Sequence, residues 1–284
     1  MSLSIDDLDA PLGAEARGID LSQALSAAEV AQIEGAWRTR LVVVVRGQKL
    51  SDPQLLAFSR YFGELDPPGP NPYGEPFNKQ HPEINVISNV IESGRPIGNL
   101  GDGEAVWHAD MTYVDVPPKA AVLYSLEVPP RAGNTYFADM FAAYLAMPDN
   151  LKKRVEGKVA VHDASHNSAG LLRKGCREVT DVRETVGARH PLVRSEPKTG
   201  RKALFLGRRP NSYILGMEVP ESEALLDALW AHATQPRFAM CHEWRKGDVL
   251  MWNNLAVLHR RDAFDPHSRR IMHRTQIKGE ERVA

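Results

Sequence analysis

The sequence predicts a mainly β fold with flanking helices, a jelly roll or related double-sheet architecture. Three observations carry that expectation. Over the last two-thirds of the chain, short runs rich in β-branched and aromatic residues recur between glycine- and proline-marked turns, as antiparallel sheets require. Helical periodicity interrupts that region only twice, so the strict strand-helix alternation of a parallel α/β sheet is missing. Finally, Leu41-Val42-Val43-Val44-Val45 is apolar at every position, the composition of a strand covered on both faces, which puts the helices on the outside.

Taken in order, residues 1–25 read as short extended pieces around Gly13 and Gly18. Ser26-Ala27-Ala28-Glu29 is a capping box, and it opens an amphipathic helix with Val30, Ile33 and Trp37 on one side that stops near Arg40. After the strand at 41–45, Ser51-Asp52-Pro53-Gln54 repeats the capping pattern with proline in the first turn and starts a helix running to Gly63. Residues 65–80 are dense in proline and glycine, and 93–103 are similarly loop-like, with a strand at 84–88 between them. Loops on a rigid scaffold are either inert surface or the walls of a binding site; Asn71, Tyr73, Asn99 and Glu104 are their candidate contact side chains. Further strands are expected at 106–113, 120–127, 133–138, 158–162, 191–195, 202–206, 238–243, 248–252, 256–259 and 270–277, with helices at 140–147, 150–155 and 220–234. The span 163–190 is charged and without clear period, which marks a lid-like excursion in what is otherwise one domain over 1–284.

A chain of 284 residues with 43% hydrophobic content buries enough surface for a stable core without staples. Its formal charge of −1 supplies no field that would gather nucleic acid or an anionic membrane, so neither is an expected partner and any anion recognition must be local. Cys176 and Cys241 are too few for a disulfide framework and have no zinc spacing, and are expected to be reduced thiols. No basic segment followed by an apolar core opens the sequence and no window approaches a membrane span, which gives a cytoplasmic expectation.

The chemistry concentrates in Val106-Trp107-His108-Ala109-Asp110-Met111-Thr112-Tyr113. On a strand, His108 and Asp110 would leave the same face, a nitrogen and an oxygen suited to a borderline divalent metal. A second histidine would complete a facial triad with open coordination positions; a hydrogen-bonded pair on a strand is the plain alternative. Among ten histidines, His81, His166, His190, His232 and His267 lie on apolar helix, in turns or beside the irregular span, and read as ordinary solvated or core residues. His259 differs, because it ends an apolar strand and so faces the mouth of a barrel, where sites are commonly built. Beyond it, Arg270 and Arg274 share one face of a strand; they point either to water or inward, and inward they need anions.

Trp107-His108-Ala109-Asp110-Met111-Thr112, Gly133-Asn134-Thr135, His190 to Arg194 with Gly200 to Phe205, Gly247-Asp248 through Asn254, and His259 with Arg269 to Arg274 together resemble the taurine and 2,4-dichlorophenoxyacetate dioxygenase (TauD/TfdA) family. The likeness extends to the early strand with Arg46-Gly47-Gln48 and to the helix ending at Gly63, nearly the whole chain. It implies a cupin-like double-stranded β-helix holding Fe(II) through His108, Asp110 and His259. It further implies that Arg270, helped by the Thr135 hydroxyl, binds 2-oxoglutarate, and that Arg274 meets the anionic group of the substrate. The implied enzyme is a 2-oxoglutarate-dependent dioxygenase that consumes O2, releases succinate and CO2, and hydroxylates a small organic anion such as an aryloxyalkanoate or a sulfonate. Asp110 favours that outcome, since related halogenases lack the carboxylate. Asn99, Tyr73 and Phe205 are the further substrate contacts expected, and a homo-oligomer, dimer or tetramer, is compatible with the resemblance. Taurine itself fits poorly, because the 65–80 loop does not match the taurine-binding pattern. Two other classes stay open: a metalloenzyme of the same fold that does without 2-oxoglutarate, and a non-catalytic metal-binding protein.

Overall fold

The structure, a computed structural model, describes residues 2–69, 71 and 74–284. Two mainly antiparallel sheets face each other. In the larger, the strand order is Ser4–Asp7, Ala14–Arg17, Val42–Val45, Val249–Asn253, Ala120–Glu127, Ile271–Ile277, Asn85–Ser88 and Asn99–Leu100, with Leu65–Asp66 also paired to Ile271–Ile277. In the smaller it is Ala239–His242, Thr135–Asp139, Val257–Arg261 and Ala105–His108. Neighbours far apart in sequence alternate across both sheets, which is the jelly-roll wiring.

The apolar runs now have their explanation. In Val42–Val45, Ala120–Glu127 and Val249–Asn253, alternate residues enter two different cores. Leu123, Leu250 and Trp252 face the smaller sheet, where the Phe137 and Trp252 rings lie 5.6 Å apart. Val43, Val122, Met251 and Ile277 face the helices instead, meeting Ile33 and Trp37 of Ala27–Arg40 and Leu55 and Phe58 of Asp52–Arg60. Both helices start at the serines the sequence marks, Ser26 and Ser51, each in a reciprocal capping box. The helix Val219–Ala233 adds Leu225, Leu226 and Leu229 to the inter-sheet core. Each large side chain so buried contributes about 1.5–3 kcal/mol, so the frame between the sheets is the stiff part of the molecule.

Two expectations need correction. The strand expected at 106–113 is only Ala105–His108: the chain then turns through Asp110, and Met111 takes a left-handed φ of 51°. Strand periodicity therefore cannot be what places His108 and Asp110 together. The span 93–103 is not all loop either, since Asn99–Leu100 pairs in parallel with Asn85–Ser88 at the edge of the large sheet. The excursion 163–190 holds a single antiparallel bridge between His166 and Leu172, the 3-10 turn Val182–Glu184 and the start of the strand Arg189–Pro191.

Candidate metal centre

His108 and His259 are direct cross-strand partners in the small sheet, so their rings project side by side with centroids 4.1 Å apart. A bulge on the His108 strand, with Val106 and Trp107 set against Arg260 alone, turns both Ala105 and His108 inward. Asp110 arrives from the turn. Its backbone N–H donates to Asn254 Oδ1 at 2.7 Å, and Asn254 Nδ2 donates back to its carbonyl at 2.9 Å and to that of Pro118 at 2.9 Å. This buried asparagine does what the expected strand would have done.

The result is a cluster whose ligating atoms all lie within 4.8 Å of one another, all three residues being buried. His108 Nδ1 donates to the Val106 carbonyl at 2.7 Å, which fixes the tautomer and leaves Nε2 as a bare lone pair 3.6 Å from Asp110 Oδ1. His259 Nε2 lies 3.9 Å from the same oxygen. Burial opposes charge on Asp110, yet the Arg274 guanidinium beside it holds the carboxyl well below its usual range. Burial, then the neighbouring His108, keeps His259 well below its ordinary value and so neutral. Two neutral imidazole nitrogens and one carboxylate converging in a dry pocket are the donor set of a borderline divalent metal, and they fit ferrous iron.

Arg270 and Arg274 point inward from the large sheet, and two cavities meet at Arg274. The inner one, of about 430 Å³, is lined by Ile87, Leu123, Thr135, Trp252, Arg261 and Arg270, and it reaches His108 and His259. Arg270 is 2% exposed; among the described residues no carboxylate pairs with it, and its Nε has no partner. Burial, and second the neighbouring Arg261, push this guanidinium down to about 9. Arg261 is likewise buried and lowered to about 10, chiefly by burial, and donates to the Leu100 and Gly103 carbonyls. Both guanidiniums lie near the Phe264 ring. The Thr135 hydroxyl accepts from Trp244 Nε1 at 2.9 Å and keeps its own proton to give.

The outer cavity, about 700 Å³, runs from His108, Asp110 and Arg274 past Asn71, Asn85 and Asn99 to Asp163, His166, Arg173 and Arg208. Arg274 Nη1 sits 2.9 Å from both Asp110 oxygens.

Asn99 thus lies in the wall, donating to Asn85 Oδ1 at 3.2 Å, whereas Tyr73 lies outside the described residues. Phe205 is not a wall residue. It is 2% exposed, stacks on His162 with centroids 5.6 Å apart and packs edge-on against His190, a layer behind the cavity. Phe205 follows the strand Lys202–Leu204 and faces this hidden layer, where Gly207 passes so tightly over His162 that a Cβ would collide. Glu104 faces Arg260 at 3.5 Å on the outside.

Sequence reading missed Arg261, Asn254, Trp244 and the group His166, Asp163, Arg173. Arg261 had a signal: two residues beyond His259 on one strand, it shares that face. His166 had none, since the 163–190 span carries no period from which a direction could be drawn.

Comparison with known proteins finds relatives over nearly the whole chain. The model of the "Taurine catabolism dioxygenase TauD, TfdA family" matches residues 4–276. The alpha-ketoglutarate-dependent 2,4-dichlorophenoxyacetate dioxygenase of Burkholderia sp. (strain RASC) is 34% identical over 98% of this chain and 95% of its own. The pentalenolactone F synthase of Streptomyces arenae is 32% identical over 93% and 91%. A crystal structure of AAD-2 in complex with Mn(II) and N-oxalylglycine superposes with a TM-score of 0.81 at 31% identity, covering 100% of both chains.

Proposed function

The chain belongs to the taurine catabolism dioxygenase TauD, TfdA family, and from that premise we propose which of its residues carry the reaction. The enzyme is an Fe(II)- and 2-oxoglutarate-dependent dioxygenase acting on a small organic anion. In the proposal His108, Asp110 and His259 hold the iron, Arg270 and Thr135 hold the distal carboxylate of 2-oxoglutarate in the inner cavity, and Arg274 receives the anionic group of the substrate in the outer one. When bound, iron supplies the coupling of O2 reduction to oxidative decarboxylation of 2-oxoglutarate, giving succinate, CO2 and one oxygen atom for a C–H bond.

The observation that carries this is the Arg270 guanidinium, buried, without a carboxylate among the described residues, at the closed end of a cavity whose other end is the histidine pair. A charge held so is costly unless a ligand supplies the counter-charge. A diacid long enough to reach from Arg270 to the histidine pair does so, with Thr135 donating to the same carboxylate and Arg261 adding positive potential. The apolar walls, Ile87, Leu123 and Trp252, exclude water along its length. Arg274 stands between the two cavities, so the bond to be oxidised is presented beside the three proposed ligands.

We read residues 1–284 as one catalytic domain with the 163–190 excursion as the outer wall of the site. No helix is long and apolar enough to cross a membrane; a cytoplasmic location is part of the proposal, because ferrous iron, 2-oxoglutarate and two unpaired thiols all suit a reducing metabolite pool. The test is oxygen uptake with succinate release. Chelation should stop both, Fe(II) should restore both, and an Arg270→Ala enzyme should lose its dependence on 2-oxoglutarate concentration in the working range. Unchanged saturation in that variant would refute the assignment of the inner cavity.

A further inference from the structure

The outer cavity is lined mostly by polar and charged residues, while one relative is a 2,4-dichlorophenoxyacetate dioxygenase. Among its described lining residues the apolar surface is limited to Leu100, Ala109, Met111 and the Tyr113 ring, while asparagines stand at 71, 85, 99 and 167. An aryl tail needs a continuous apolar slot.

The charges in the excursion differ in how far they are committed. Asp163 accepts from Ser165, from Arg208 Nη2 at 2.5 Å and from Asn211 at 3.2 Å, and pairs with His166 Nδ1 at 3.0 Å. His166 Nε2 meets Glu178 at 3.1 Å. Those groups are satisfied by one another and brace the wall. Arg173 is different. Its guanidinium lies 3.9 Å from the centre of the Tyr113 ring, Nη1 donates to the Ala164 carbonyl at 2.8 Å, and Nε is buried without a partner. Among the described residues it has no carboxylate partner, yet it lines the cavity. Its platform is fixed, since Gly69 packs against the Tyr113 hydroxyl so closely that a Cβ there would collide. Stacking holds a guanidinium in place and leaves its edge free to donate.

Resting on the reading above, we infer that the substrate is a compact polar dianion, its first anionic group on Arg274 and its second on Arg173. Asn99 Oδ1, buried and without a partner, accepts from a hydroxyl or amine between the two ends.

The experiment is calorimetric titration of the anaerobic Fe(II) enzyme under saturating 2-oxoglutarate, which keeps other diacids out of the inner cavity. The probes are the α,ω-dicarboxylates from adipate to suberate, the monocarboxylates of equal length, and 2,4-dichlorophenoxyacetate. The best dicarboxylate should bind roughly 10- to 100-fold tighter than its matched monocarboxylate, the span of one charge-assisted hydrogen-bonded pair. Arg173→Gln should erase that margin and Arg173→Lys should keep part of it, with 2-oxoglutarate affinity unchanged in both. No margin in the wild-type enzyme, a margin undiminished in Arg173→Gln, or tightest binding by 2,4-dichlorophenoxyacetate each overturns the dianion. Failure of 2-oxoglutarate itself to bind is a separate result, and it removes the reading of the inner cavity as well.

Discussion

The inner and outer cavities share Arg274 and His108, yet they are made differently. The inner one is enclosed by paired strands of two sheets: Thr135 and Arg261 face each other in register, and Arg270 immediately precedes the strand Ile271–Ile277, which carries Arg274. Most of its lining residues sit on laddered strands, so their side chains have little freedom. The outer one takes its far wall from 163–173, where bonds made by side chains to one another and to nearby backbone, with a single bridge between His166 and Leu172, stand in place of extended sheet ladders. A site on strands suits a co-substrate that never changes, and a site on loops suits a substrate that differs from one family member to the next.

That contrast can be broken at several points. The largest effect is expected from Asp110→Ala, which removes a proposed ligand from the shared floor: turnover should fall to background and iron binding should be lost while the circular dichroism of the fold is kept. Full turnover would end the ligand assignment.

Next comes Arg270→Leu, which should raise the KM for 2-oxoglutarate by roughly 10²–10³-fold, because it strands a carboxylate that was fully paired. The same change should raise the melting temperature of the ligand-free protein by a few degrees, since it replaces an unpaired buried charge with an apolar side chain. A lower melting temperature with an unchanged KM would show that Arg270 braces the sheet instead.

Asn254→Ala tests the turn. It leaves the Asp110 N–H and the Pro118 carbonyl without their partner, at a cost of about 1–3 kcal/mol, and iron affinity should fall about 10- to 100-fold, the range for a residue that orients a ligand. Equal effects on iron and on 2-oxoglutarate would mean that the whole floor had moved.

The smallest effect on catalysis belongs to Phe205→Leu. It should cost about 1 kcal/mol of stability through imperfect repacking against His162 and His190, with KM for both 2-oxoglutarate and substrate unchanged. A shifted substrate KM alone would return Phe205 to the wall.

Much of this could be read from the chain alone. Both serine capping boxes, the doubly buried valine strand and the spacing of Arg270 and Arg274 are local patterns, and local patterns survive in one dimension. His108, Asp110 and His259 could be named from residue type and from likeness to a family. The means by which Asp110 reaches the histidines could not, because a turn held by a side chain 144 positions away has no periodicity to betray it. The same applies to Arg173, whose direction is set by Tyr113 and Ala164.

By itself, then, the sequence determined which elements form and which faces are apolar, since propensity, capping and alternation act over a few residues. Tertiary structure decided the rest: that His259 pairs with His108, that Asn254 closes on Asp110, and that Arg270 and Arg274 both turn inward, the second onto Asp110. Those outcomes depend on register between strands more than a hundred residues apart, and register is fixed only when both faces of a sheet are packed at once.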